Sequence, residues 1–455
     1  MTGALRLTRC RLPDGTLADV ECRDGRIASI ARSGIADASG TPLAPGDVPP
    51  RERATGAAPP TASRGDVGAG AVRPEAHGAD VTIDAGGCAV TAGLVEAHIH
   101  LDKALLSDRA PSLEGTLAEA LRVTAEAKRG FTTADIRERA GRVLDLAVRS
   151  GTTAMRSHVE IDPIVGLSGL EALLALKREY AAAIDLQLCA FAQEGIVQAP
   201  GTAELLAEAL RQGADLVGGC PYNDTDAAAH IATVFDLAQR FDVDADFHID
   251  FADEPEHLHV RRVCAETRRR GWQGRVAVGH LTEVAALPPP EQDAIAADLA
   301  ASGVGVIVLP ATDLYLMGRR DARNVRRGLA PVKRLLAAGV VVAAASNNVR
   351  NAFTPAGDAA LPLMGYLLIV GAHLGTVAEQ RQALDMLTAH PARILRLPDY
   401  GLREGTAADL VVWDAASAEE VVARPARPRL VVKAGRVSVE REELVREQWR
   451  AAPAR

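Results

Sequence analysis

The stretch VEAHIHLDKALL, residues 95–106, sets two histidines, an aspartate and a lysine in an otherwise apolar run. Strand side chains alternate between faces, so His98 and His100 point to the same side. Two neutral imidazoles from one strand, with a third from across a barrel, can converge on one divalent ion; zinc, iron and nickel all accept such ligands. The pattern returns in DFHID, which puts His248 and Asp250 on one face. Other apolar runs also close on polar residues: Gln193 and Glu194 after LQLCAFA, His280 after VAVG, Thr312 and Asp313 after GVIVLPA, and Ser346, Asn347 and Asn348 after VVVAAA. His158, Glu160 and Asp162 close one more run and take no assignment, since a pocket or solvent suits them equally. A lone H-x-H is ordinarily a satisfied polar pair in a strand. Histidines closing the first, fifth and sixth runs, in that order, are not explained by packing.

The runs that end in these residues are GLVEAHIHLD, TTAMRSHVEI, DLQLCAFAQ, DLVGGCP, DADFHIDF, RVAVGHLT, GVIVLPAT and VVVAAASN. They alternate with Ala- and Leu-rich helical segments such as LEALLALKREYAAA, TAELLAEALRQG and APVKRLLAAG. Eight such alternations predict an α/β fold, a (β/α)8 TIM-like barrel, with a doubly wound open sheet as the alternative. In a barrel the C-terminal strand ends surround the active site, which is where the polar residues fall. Residues 3–32 and the tail after 400 read as short strands that flank the barrel in sequence and can pair with each other. The expected organisation is a β-sandwich part over 1–94, the barrel over 95–395, and a second sandwich part with a C-terminal tail over 396–455. The Ala-, Gly- and Pro-rich stretch at about 33–78 carries too little apolar surface to offset its ordering entropy, and is expected to be a disordered insertion.

Bulk composition narrows the function classes. Of 455 residues 48% are hydrophobic but only 3% aromatic, so Ala, Val and Leu must fill the core. A net charge of −8 argues against nucleic-acid binding, which needs a basic face. The six cysteines form no C-x-x-C pair, which excludes a zinc ribbon or a dense disulfide scaffold. With no apolar leader and no run long enough for a membrane span, a cytoplasmic protein with reduced thiols is expected.

The segments GLVEAHIHLDKALL, LQLCAFAQEGI, DFHID, VAVGHLT and AHPARILRLPDYGLREGTAADLVVWD resemble the amidohydrolase superfamily, and within it the branch of cytosine deaminase and N-isopropylammelide amidohydrolase. The resemblance covers nearly the whole chain outside 33–78. It implies a (β/α)8 barrel with a small β-sandwich made from both termini, and one catalytic divalent metal ion, Zn or Fe. By the same resemblance His98, His100 and His248 are metal ligands, with Asn347 at the fourth position. His280 polarises the hydroxide or the developing tetrahedral centre, and Gln193 contacts the amide edge of the substrate. Lys103 matches the lysine of the isopropylammelide-type members.

Two positions depart from that pattern. Asn347 replaces the strand-eight aspartate that binds the metal and shuttles protons, and Phe251 replaces the glutamate of cytosine deaminase. An asparagine oxygen can coordinate a metal but cannot act as a base, and general acid–base help is worth about 10²–10⁴-fold. Asp250, Asp102 and Asp313 are the available substitutes. Asp250 leads because it shares a face with His248; the same aspartate reads equally as one that holds a ligand histidine by a hydrogen bond. The expected function is a metal-dependent hydrolase of a C–N bond in a small cyclic, nucleobase-like or amide substrate. The missing glutamate argues against cytosine itself. Two rivals are a degenerate barrel that binds a small molecule without turnover and a metal-assisted lyase. The expected partner is a small-molecule substrate, with no nucleic acid and no membrane; homo-oligomer formation is left open.

Overall fold

The computed structural model describes residues 3–33 and 80–441, and the expected insertion lies outside the described residues apart from Ser33. Eight parallel strands form the centre: β1 (Leu94–Ile99), β2 (Thr152–Glu160), β3 (Asp185–Ala192), β4 (Leu216–Gly219), β5 (Asp244–Ile249), β6 (Val276–His280), β7 (Val304–Val308) and β8 (Val342–Ala344). They are hydrogen-bonded in chain order. A parallel bridge past the ends of β8 and β1 closes the ring: Asn347 N donates to His98 O, and His100 N donates to Asn347 O, each at 2.8 Å. All eight runs expected as strands are strands, and closure selects the barrel over the open sheet.

Each return between strands is helical. The helix Thr202–Gln212 shows why: Leu206, Ala207, Ala209 and Leu210 fall on its buried face. It stops at Gly213, whose left-handed φ of 112° lets its N–H turn back onto the carbonyls of Ala209 and Leu210. The core between strands and helices is built mainly from Ala, Val, Leu and Ile, as the scarcity of aromatics requires.

Two four-stranded sheets flank the barrel. One joins Leu5–Arg11, Leu17–Arg23, Arg26–Arg32 and Val81–Asp84; the other joins Val90–Ala92 to Leu410–Trp413, Pro428–Lys433 and Arg436–Glu440. They share one apolar core, with Leu7, Val20 and Ile27 from the first and Val90, Leu410 and Val432 from the second. The N- and C-terminal segments therefore pack as a sandwich, and Gly93 N donating to Asp409 O at 2.9 Å fixes where the chain enters β1. Among the described residues no helix is long and apolar enough to cross a membrane.

Candidate metal centre and active site

The mouth of the barrel gathers imidazoles. His98 and His248 stack at 4.3 Å between ring centroids, His100 lies 5.2 Å from His248, and His98 and His100 are 5.7 Å apart. One ring nitrogen from each lies within 4.8 Å of the others. All three side chains are buried, and burial, reinforced by the neighbouring imidazoles and, for His98 and His100, by Lys103, holds each well below the usual histidine pKa. They are neutral, as ligation requires. Both nitrogens of His98, Nδ1 of His100, Nε2 of His248 and Oδ1 of Asn347 have no hydrogen-bond partner. Orphaned buried polar atoms of this kind are rare and costly, and one divalent ion would satisfy one nitrogen from each imidazole together with the amide oxygen. The donor set therefore fits a metal.

The walls around these rings are cut to hold them. Gly279 faces His98, and a Cβ there would lie 3.2 Å from His98 Cε1. His158 stacks on His98 at 3.9 Å, and its Nε2 lies 3.4 Å from Asp246 Oδ1, itself paired with Arg156 at 2.9 Å.

Three strand ends leave the site through left-handed residues that are not glycine: Asp250 (φ 53°), His280 (φ 75°) and Asn347 (φ 60°). Such conformations are uncommon for non-glycine residues and concentrate at functional sites. On β6, Val276 and Val278 pack with the helices while Gly279 faces His98, so strict alternation would send His280 outward. Its φ swings the imidazole into the cavity instead. The opposite happens at Asp250. It does not share a face with His248 as expected: its oxygens accept from His259 N at 2.6 Å and Val260 N at 3.0 Å, at the start of the helix Val260–Arg270. Burial and the nearby Glu283 push Asp250 up to about 7. It is a helix cap, neither a cavity-facing base nor a hydrogen-bond partner of a ligand histidine.

A charged wall, two lysines set among carboxylates, stands across from the imidazoles. Lys103 Nζ is 2.6 Å from Glu160 Oε1 and 3.5 Å from Gln193 Oε1, and lies 4.5 Å above the ring of Phe353. Lys128 binds the other oxygen of Glu160, together with Asp162 at 3.0 Å and Glu194 at 2.7 Å. Burial opposes ionisation of Glu160, but the two lysines outweigh it and hold the carboxyl below its ordinary pKa. Asp102, expected as one substitute base, spends its oxygens on Lys103 N and Glu160 N; burial and Glu160 push it up.

Between these walls a small cavity is lined by His100, Lys103, Gln193, His248, His280 and Asn347, all expected from sequence, together with Thr312 and Asn348. His98 lies within reach of the same rings. Thr312 and Asp313 are not at a strand end as expected but on the short helix Pro310–Leu316 that follows β7. From there Asp313 Oδ1 holds His280 Nδ1 at 2.7 Å. Sequence reading missed Tyr222, Phe251 as a lining residue, and Phe353. It also missed Lys128, which sits on a helix, Leu117–Lys128, away from any strand end.

Comparison with known proteins agrees with this geometry. A family model described as "Amidohydrolase family" matches residues 81–439. N-isopropylammelide isopropyl amidohydrolase of Pseudomonas sp. strain ADP is 29% identical over 371 residues, 80% of this chain and 89% of that protein. Pterin deaminase of Rhizobium rhizogenes is also 29% identical, over 75% of this chain and 78% of its own. The crystal structure of 5-methylcytosine deaminase from Klebsiella pneumoniae, liganded with 5-fluorocytosine, superposes with a TM-score of 0.84 at 29% identity, covering 97% of this chain and 99% of that one. With a family match across most of its length, a closed barrel and three converging histidines, the chain belongs to the amidohydrolase family.

Proposed function

We propose that this protein is a metal-dependent hydrolase that cleaves a C–N bond of a small cyclic, nucleobase-like substrate. The observation that carries the reading is the set of unpartnered nitrogens on His98, His100 and His248 beside a cavity with two further polar walls. These histidines, with Asn347 Oδ1, would hold one divalent ion, zinc or iron. When bound, such an ion supplies the Lewis acidity that makes water a nucleophile near neutral pH. The chain does the rest. Lys103 Nζ and the Gln193 amide present hydrogen-bonding groups to a ring carbonyl or ring nitrogen, and Glu160 keeps the lysine aimed. His280 faces the reacting atoms from the opposite wall.

Phe251 puts a hydrocarbon face where cytosine deaminase has a carboxylate, which supports rings other than cytosine.

Metal content by elemental analysis, and ammonia or amine release from a panel of aminopyrimidines, aminotriazines and pterins, test the reading together. The expected result is about one equivalent of Zn or Fe per chain and turnover of at least one ring class. A protein that takes up no divalent ion after reconstitution, and releases nothing from any ring, contradicts it. Asn347 supports a second reading, a barrel that binds its ligand without turnover; metal uptake and ring binding with no release would identify that case.

A further inference from the structure

The three buried aspartates available in place of the missing strand-eight carboxylate, Asp102, Asp250 and Asp313, commit their oxygens differently. Asp102 and Asp250 each spend both oxygens on backbone N–H groups. Of the three, Asp313 alone reaches a side chain that lines the cavity. Its Oδ1 lies 2.7 Å from His280 Nδ1, while Oδ2 accepts from Leu309 N at 3.2 Å. The Asp313 side chain is fully buried, so bulk water does not compete for that bond. A carboxylate against Nδ1 places the imidazole proton there and leaves Nε2 as a bare acceptor. Phe251 stacks on the same ring at 3.9 Å and 27°, which fixes its plane.

We propose that the carboxylate absent at Asn347 acts in this chain from Asp313, a positioning residue that fixes the Nε2-bare tautomer of His280 so that His280 serves as the base facing the cavity. The proposal rests on the hydrolase reading above. In the step it implies, an O–H bond of the attacking water breaks and the proton goes to His280 Nε2. The electron pair of the water oxygen forms the new C–O bond, and the π pair of the attacked C=N or C=O moves onto its heteroatom. That pair then re-forms the double bond as the exocyclic C–N bond breaks, and the departing nitrogen takes the proton from Nε2. A neutral asparagine at 347 suits this arrangement, because the site needs only one proton-handling group.

Nitrogen NMR of histidine-labelled full-length protein reads the tautomer without relying on turnover. The expected result is a protonated Nδ1 and a bare Nε2 on His280, reversed in Asp313→Asn because the new amide donates to Nδ1. Turnover of that variant on the best ring substrate should fall by about 10²–10⁴-fold, with KM within about threefold. A wild-type His280 protonated on Nε2, or an Asp313→Asn protein with unchanged kcat, overturns the proposal. Asn347→Asp gives an independent check: a lower kcat agrees with a second carboxylate being unwelcome, and a gain of about tenfold or more overturns the transfer of its role to Asp313. If no ring in the panel is turned over, the hydrolase reading fails, while the nitrogen shifts still decide what Asp313 does to His280.

Discussion

Glu160 and Lys128 meet at 2.5 Å between Oε2 and Nζ, and the second oxygen of the same carboxylate holds Lys103 at 2.6 Å. One anion thus serves two buried cations, one that lines the cavity and one that anchors the helix Leu117–Lys128 to the ends of β2 and β3. The side chains of all three residues are only 1–2% exposed.

Removing that anion while leaving both lysines should be severe. Breaking a buried ion pair by deleting one member typically costs about 3–5 kcal/mol, because an uncompensated charge stays behind. Lys128 keeps Asp162 and Glu194, whereas Lys103 keeps, among the described residues, no carboxylate contact, but the weak contact with Gln193 and the face of the Phe353 ring. Glu160→Gln is therefore expected to lose roughly 3 kcal/mol in urea unfolding, and to lose more binding than Lys128→Met does when KM is compared. A Glu160→Gln protein as stable as wild type would show that the network carries no charge at neutral pH.

Gly279 should be felt at the metal rather than in the fold. A Cβ at that position already sits 3.2 Å from His98 Cε1 and 3.5 Å from Nδ1. Gly279→Val adds two methyl groups against a ring already stacked with His158 and His248, so the imidazole must turn. Second-sphere disturbances of ligand orientation typically cost 10–100-fold in metal affinity, and about that loss is expected in a competitive chelator titration. Circular dichroism should stay native. Undiminished affinity would mean that His98 is not a ligand.

Much of this architecture could be read from the chain alone. The eight strands stand out because β-branched and small apolar runs recur between helical segments, and the histidines of the candidate site stand out because they close three of those runs. Asp250 defeated the same reasoning, and His280 reaches the expected cavity only by breaking strand alternation. Period-two alternation assumes extended backbone, and both residues are left-handed, so one expected in the cavity leaves it and one that alternation would turn out enters it. Lys128 was hidden for a different reason. It ends a helix 32 residues before Glu160, and only the folded barrel brings the two together. Asp313 was noticed but placed on a strand; the short helix after β7 is what carries it beneath His280.

Metal removal offers a direct reading of the three-histidine site. An ion that binds the folded chain and not the unfolded one adds about 2.7 kcal/mol at a free concentration 100 times its Kd. The thermal midpoint of chelator-treated protein should therefore rise on adding zinc or iron(II). His248→Ala should abolish the rise, since it leaves His98 and His100 as the remaining imidazoles of the set. An equal rise in both proteins would place the ion elsewhere.

Asp224 sets the response of the neighbouring loop to acid. Its oxygens accept from the backbone N–H groups of Ile196 at 2.6 Å and of Val197 and Gln198 at 3.0 Å, and from His230 Nδ1 at 2.8 Å. Burial opposes ionisation, but these donors outweigh it and hold the carboxyl at about 2. The folded pKa lies below the unfolded value of 3.8, so this stabilisation is complete above pH 3.8 and is lost as the pH falls toward 2. His230 acts in the same direction at higher pH. Burial lowers it despite Asp224, so its contribution is complete above 6.5 and fades as acid protonates the folded ring. Asp224→Ala is expected to cost about 2 kcal/mol or more at pH 7 by stranding these donors, and to flatten the remaining loss of stability below pH 4. Urea unfolding of both proteins between pH 7 and 3 checks this: parallel curves would mean that other carboxylates govern the acid limb.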